Sequence, residues 1–233
     1  MTGYHDYVIK DGQFIGRFEE MYAECQEIPW HQDKTAQAIF SDLDLSILRH
    51  MKTRYGFNQV ADIGCGLGYV TARIQREVLG RDGALTGFDV SPSAIAKARQ
   101  MFPAVHFEIL DISKTISSAL CGAFDLVICK ECHWYILDHL ERFRSNLLKM
   151  SGRWIYLVQS FPEKKPYLGM DRFPTPEALI KYWAEVGHPT YHLIEWDSFY
   201  GGRPLVHLFL KRKEEIKSGC DRSASIPADR FDK

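Results

Sequence analysis

The sequence predicts an α/β protein built on a doubly wound, mostly parallel sheet. Three observations carry that prediction. Short β-branched or apolar runs at 59–63, 85–89, 106–109, 124–129 and 153–158 alternate with helical stretches, the βαβ pattern of a sheet covered on both faces. Gly64, Gly66 and Gly68 follow the first run and open a helix. Asp62, Asp89 and Asp111 stand at or beside the ends of the first three runs.

The bulk composition suits one such domain. A chain of 233 residues is long enough for a single sizeable core, and 45% hydrophobic with 25% charged residues is ordinary globular usage. A net charge of −1, with basic and acidic residues interleaved, does not provide the basic field that nucleic acid demands, so nucleic acid is not expected as a partner. The start, MTGYHDYVIKDGQF, lacks an apolar h-region, and no run approaches the ~18 apolar residues of a membrane span, so a cytoplasmic chain without membrane attachment is expected. Six scattered cysteines suit reduced thiols. Cys129 and Cys132 form one CxxC, but Cys129 ends an apolar run, which points to burial and not to a metal site. Nothing in the sequence fixes an oligomeric state.

In chain order, a first helix is expected over 17–27, with Phe18, Met21, Tyr22 and Cys25 on one face and Pro29 stopping it. A second over 35–52 puts Ala36, Phe40, Leu43, Ile47 and Met51 on a stripe. Helices over 70–79, 91–101 and 138–150 separate the strands, the middle one opened by Ser91 as N-cap and Pro92 in the first turn. A Pro- and aromatic-rich stretch over 159–175 reads as a functional loop. After a helix over 176–186, strands at 191–197 and 204–211 form an antiparallel pair across FYGGR, where Gly201 and Gly202 suit a tight reversal. One domain over 1–213 is expected, with 1–54 as an N-terminal helical cap and 55–213 as the core; 214–233 is a polar tail.

The glycines of GCGLG let the backbone approach a ligand closely. A dinucleotide fingerprint, G-x-G-x-x-G, would place a glycine where Tyr69 stands. Asp62 beside the loop would repel two phosphates but welcome an ammonium or ribose hydroxyls. Asp89 at the second strand's end suits a ribose diol, and acids at the carboxyl ends of adjacent parallel strands converge on one crevice.

On VADIGCGLGYVTARI, TGFDVSP, ILDIS and FDLVICKECHWYI, the chain resembles a class I S-adenosylmethionine-dependent methyltransferase of the small-molecule type. The resemblance covers about 55–160 by motif and the remainder by element order. It implies a Rossmann-like sheet of seven strands with an antiparallel C-terminal strand. It also implies that the loop from Gly64 to Gly68, Cys65 included, wraps the methionine end of S-adenosylmethionine. By the same resemblance Asp89 holds the ribose, Val90 lines the adenine, and Asp111 and Ile112 meet its amino group and ring. Lys130 and Glu131 lie beside the methionine portion. Lys130 departs from the small or neutral residue often found there, and a cation near a sulfonium is unfavourable, so its side chain is expected to point away. FEEMYAECQEIPWHQ reads either as a lid, with Tyr22, Trp30 and His31 or Gln32 closing over the ligands, or as a cap on the sheet edge.

The expected reaction moves a methyl group by in-line displacement to an oxygen or nitrogen of a small-molecule acceptor, leaving S-adenosylhomocysteine. His133, shortly after the fourth strand, is the candidate general base. Glu131 is the candidate for orienting the cofactor's ammonium or receiving a cationic amine, and Trp134 and Tyr135 for an acceptor wall. The alternatives are a nicotinamide-dependent oxidoreductase, and a protein of the same fold that acts on protein or RNA or binds without catalysis.

Overall fold

The computed structural model describes residues 3–10, 13–37, 39–197 and 203–213. The expected reversal at Gly201 and Gly202 and the tail from Glu214 lie outside the described residues. Seven strands form one sheet: Gln59–Ile63 (β1), Ala84–Asp89 (β2), His106–Ile109 (β3), Phe124–Lys130 (β4), Ser151–Ser160 (β5), Gly187–Asp197 (β6) and Arg203–Arg212 (β7). Their order is β3-β2-β1-β4-β5-β7-β6. β1 to β5 pair in parallel, and β7 alone runs against the others, between β5 and β6. β1 is therefore the switch point: the chain leaves it toward β2 and β3, then returns to its other side as β4. A crevice opens at the carboxyl ends of β1 and β4, where ligands sit in open α/β sheets.

Among the described residues, six α-helices are longer than four residues: Phe18–Glu24 (α1), Ile39–Tyr55 (α2), Tyr69–Ile74 (α3), Pro92–Met101 (α4), Leu140–Met150 (α5) and Pro176–Ala184 (α6). Alternate residues of the strands serve opposite faces, which is the period of two at work. Val60, Ile128 and Tyr156 pack with Leu45, Leu48 and Met51 of α2. Ile63, Val127 and Leu157 pack with Phe143 and Leu147 of α5 and Trp183 of α6. The Ser91 hydroxyl caps α4 by accepting from the Ala94 N–H at 3.1 Å, and Thr175 does the same for α6. Such a cap contributes about 1 kcal/mol.

The expected N-terminal cap divides in two. α2 is a layer of the core, with Leu45 and Leu48 only 1% exposed. Residues before it form a roof: Met21 and Tyr22 of α1 pack on Leu67 of the glycine loop and Ala94 of α4. α1 stops at Glu24, short of the expected end, because Cys25 turns extended. Trp30 and His31 both take left-handed backbone, with φ of 51° and 48°, which breaks the chain ahead of α2. The edge strand β6 begins at Gly187, before the expected 191, and carries Pro189 beside a register shift. A proline is tolerated there because an edge strand leaves one side of its ladder unpaired. Among the described residues no helix is long and apolar enough to cross a membrane.

Candidate functional site

The glycine loop sits at the switch point, tied to β2 by bonds from the Gly64 and Cys65 N–H groups to the Phe88 carbonyl, at 2.8 and 2.9 Å. Next, the Gly66 N–H donates to Asp89 Oδ2 at 2.8 Å. Gly66 has φ of 53°, and a Cβ there would stand 2.5 Å from Gln32 Nε2 and 2.7 Å from the Tyr22 hydroxyl. Its bareness admits the roof. Gly68 serves packing beneath the loop, since a Cβ there would strike the Phe107 ring at 2.6 Å.

In front of the loop lies a cavity of about 1020 Å³, which Asp62, Gly64, Cys65, Asp89, Val90, Asp111 and Ile112 all line. Gly66 and Gly68, also expected at the ligand, do not line it, because the roof covers the first and the sheet backs the second. Asp62 accepts a 2.6 Å bond from the Thr71 hydroxyl, and burial lifts its carboxyl to about 6. Asp89 accepts from the N–H groups of Gly66 and Ser91, and burial raises its pKa against those bonds. The Val90 backbone adds a third bond, so of a carboxylate's about four acceptor positions one remains for a ligand hydroxyl. At Asp111 desolvation is outweighed by bonds from Ser113 and Lys114, which hold the carboxyl below its usual range. Val90 is 44% exposed, an apolar surface beside Asp89.

β4 delivers Lys130 and Glu131 to the same cavity. The Lys130 ammonium turns to α2, where it bonds the buried Asp44, which also accepts from the Tyr156 hydroxyl at 2.9 Å. Against the cost of burying Asp44, Lys130 and then His207 keep its carboxyl below the usual range. Glu131 has φ of 58°, a left-handed conformation that a non-glycine residue holds only where its surroundings dictate it. Its carboxylate accepts from the Ser160 N–H at 2.8 Å, the Ser160 hydroxyl at 2.7 Å and Gln159 Nε2 at 3.0 Å. Burial nevertheless raises its pKa.

His133, expected as the general base, does not line the cavity. The left-handed turn at Glu131 ends the strand's alternation and sends the His133 ring to the α5 and α6 side, fully buried against Phe143 and Trp183. Its Nε2 accepts from Trp183 Nε1 at 2.9 Å, so Nδ1 carries the proton and donates to Gln159 Oε1 at 3.1 Å. Desolvation pushes its pKa down to about 4. The ring braces Gln159, which in turn holds Glu131.

The roof closes the cavity from the N-terminal side. Trp30 lies 5.5 Å from Tyr4, 6.3 Å from Tyr22 and 5.8 Å from Tyr135, centroid to centroid. Gln32, a lid candidate in the sequence, and Glu19 and Lys97, which the sequence does not announce, pin it down. Gln32 Oε1 accepts from the Leu67 N–H at 2.8 Å. Glu19 accepts from the hydroxyls of Ser91 and Ser93, both at 2.6 Å, across the start of α4. Lys97 donates to the Tyr22 carbonyl.

Residues 60–151 match the family described as "Methyltransferase domain". A putative methyltransferase of Invertebrate iridescent virus 6 is 32% identical over 106 residues, which is 45% of this chain and 38% of that protein. The trans-aconitate 2-methyltransferase of Escherichia coli is 28% identical over 167 residues, 70% of this chain and 56% of that one. The chain thus spans between about two fifths and somewhat over half of the length of these relatives. Among solved structures, the N-methyltransferase NodS from Bradyrhizobium japonicum WM9 with bound S-adenosylhomocysteine superposes with a TM-score of 0.63 at 17% identity, over 84% of this chain and 99% of that one.

Proposed function

Starting from its class I S-adenosylmethionine-dependent methyltransferase fold, we propose that this chain transfers a methyl group from S-adenosylmethionine to an oxygen or nitrogen of a small-molecule acceptor. One observation carries the reading. The glycine loop and the acids at the ends of β1, β2 and β3 line a single roofed cavity, without a phosphate-binding fingerprint, since Tyr69 occupies its last glycine position. That lining suits a ligand with an ammonium, a sulfonium and a ribose diol and repels a pyrophosphate.

In this reading Asp89 accepts from a ribose hydroxyl, Val90 and Ile112 flank the base, and Asp62 faces the cationic methionine end. The Asp111 carboxylate is the acceptor for the base's amino group. The sulfonium of the bound cofactor would supply an electrophilic methyl group for in-line transfer to the acceptor. What the protein adds is alignment and exclusion of water, which together lower a barrier by up to ~7–11 kcal/mol in favourable cases. Trp30, Tyr22 and Tyr135 exclude water, and a roof this close over the loop favours a small acceptor over a macromolecule.

Calorimetry with S-adenosylhomocysteine and with NAD tests the proposal. Binding of the first and not the second is expected; the reverse outcome overturns it. Mass spectrometry of extracts incubated with the protein and methyl-labelled cofactor then identifies the molecule that gains the label.

A further inference from the structure

Resting on that reading, we infer that the acceptor is a cationic amine with an apolar or aromatic body, and that Glu131 is the residue that selects it. The charge around the cavity points this way. Five carboxylates line it, those of Asp44, Asp62, Asp89, Asp111 and Glu131, against the permanent cations of Lys130 and Arg203. Lys130 is paired with Asp44, and Arg203 is exposed at the rim. The lining histidines, His5, His31 and His139, are exposed as well.

Three of the carboxylates belong to the cofactor half, on the β1 to β3 side of the switch point. Glu131 stands on the other side, at the end of β4, next to Trp134 and Tyr135. Three donors hold its carboxylate, the Ser160 N–H, the Ser160 hydroxyl and Gln159 Nε2. A carboxylate has about four acceptor positions, so one remains for a donor from the ligand. The donors also fix where that position points, and Gln159 is itself braced by the buried His133 and Trp183.

Aromatic faces complete the site. Phe18, Trp30 and Tyr135 stand 5.6 to 6.3 Å apart, centroid to centroid, on the roof side of the cavity. Ring faces attract ammonium groups, and most strongly where water is excluded. The bound ammonium gives up one proton, to the Glu131 carboxylate or to solvent, which frees the nitrogen lone pair to take the methyl group; the methylated amine is again a cation, so both acceptor and product suit this wall. A polycarboxylate, the kind of acceptor named for the Escherichia coli relative, would meet Glu131 with like charge in a poorly solvated pocket.

Two probes of one shape and opposite charge decide the matter: 2-phenylethylamine and 3-phenylpropionate, titrated calorimetrically at about pH 7.5 into the full chain saturated with S-adenosylhomocysteine. The amine is expected to bind at least about tenfold more tightly, and Glu131→Gln to reduce that preference to about threefold or less. Equal affinity, tighter binding of the carboxylate, no binding of either, or an undiminished preference in Glu131→Gln overturns the inference. Should that variant fail to fold, Tyr135→Leu serves instead, with several-fold weaker amine binding expected and an unchanged amine affinity counting against it. If S-adenosylhomocysteine itself does not bind, the methyltransferase reading fails, and the preference between the two probes in the ligand-free chain still decides whether Glu131 selects cations.

Discussion

The Leu67 backbone N–H, in the glycine loop, donates to Gln32 Oε1 at 2.8 Å, and the other end of the same amide donates to the Tyr22 hydroxyl at 2.9 Å. One side chain thus joins the roof to the glycine loop. Replacing Gln32 with Ala leaves the Leu67 donor unmatched, at a cost of about 1–3 kcal/mol where water cannot reach it. S-adenosylhomocysteine should dissociate at least about fivefold faster, as stopped-flow fluorescence of Trp30 can follow. An unchanged rate would separate the roof from ligand retention.

Asp89 anchors both the loop and, in the proposed function, the ribose. Asp89→Ala is expected to weaken S-adenosylhomocysteine binding by ~1.5–3 kcal/mol, the range for hydrogen bonds to a charged acceptor. Calorimetry measures this directly, and wild-type affinity in the variant would remove Asp89 from the site.

Asp62 makes stability depend on pH. Burial raises its carboxyl from 3.8 to about 6, so the folded chain holds that proton more tightly than the unfolded one. Its contribution is complete below pH 3.8 and is lost as pH rises through about 6, after which the ionised group costs on the order of 3 kcal/mol. Asp62→Asn should therefore melt higher than the wild type at pH 7.5 in the absence of ligand, with the gap closing toward pH 4. Parallel melting curves at all pH values would contradict this.

His133 titrates with the opposite sign. Its pKa falls from 6.5 to about 4, so the contribution of the neutral ring is present above pH 6.5 and is lost as pH falls through about 4. His133→Gln is expected to melt lower at pH 7.5 yet to lose less stability than the wild type between pH 6.5 and 4. An essential base with the pKa of His133 in the kinetic pH profile would restore the catalytic role that its burial denies it.

The parallel strands were readable almost to the residue: both ends of β1 and of β3 fall where the β-branched and apolar runs place them. The early start of β6 was not, since Gly187, His188 and Pro189 carry no strand propensity and owe their pairing to the partner strand. Asp62, Asp89 and Asp111 reach one cavity because strand ends in a parallel sheet share a side. His133 was misplaced because a left-handed Glu131 leaves no trace in sequence. Gln32 and Glu19 act across 35 and 72 residues of chain, a distance at which no local pattern exists to be read.

α2 changes where the folding unit begins. The family match starts at residue 60, yet Leu45, Leu48 and Met51 shield Val60, Ile128 and Tyr156. A fragment starting at 56 would strip Leu45, Leu48 and Met51 from that side of the sheet, leaving Ile74, Val78 and Leu79 to cover only part of it, and is expected to aggregate, while one starting at 39 keeps α2 and loses the roof. Circular dichroism of the two fragments distinguishes them. The matched stretch is therefore shorter than the smallest piece expected to fold intact.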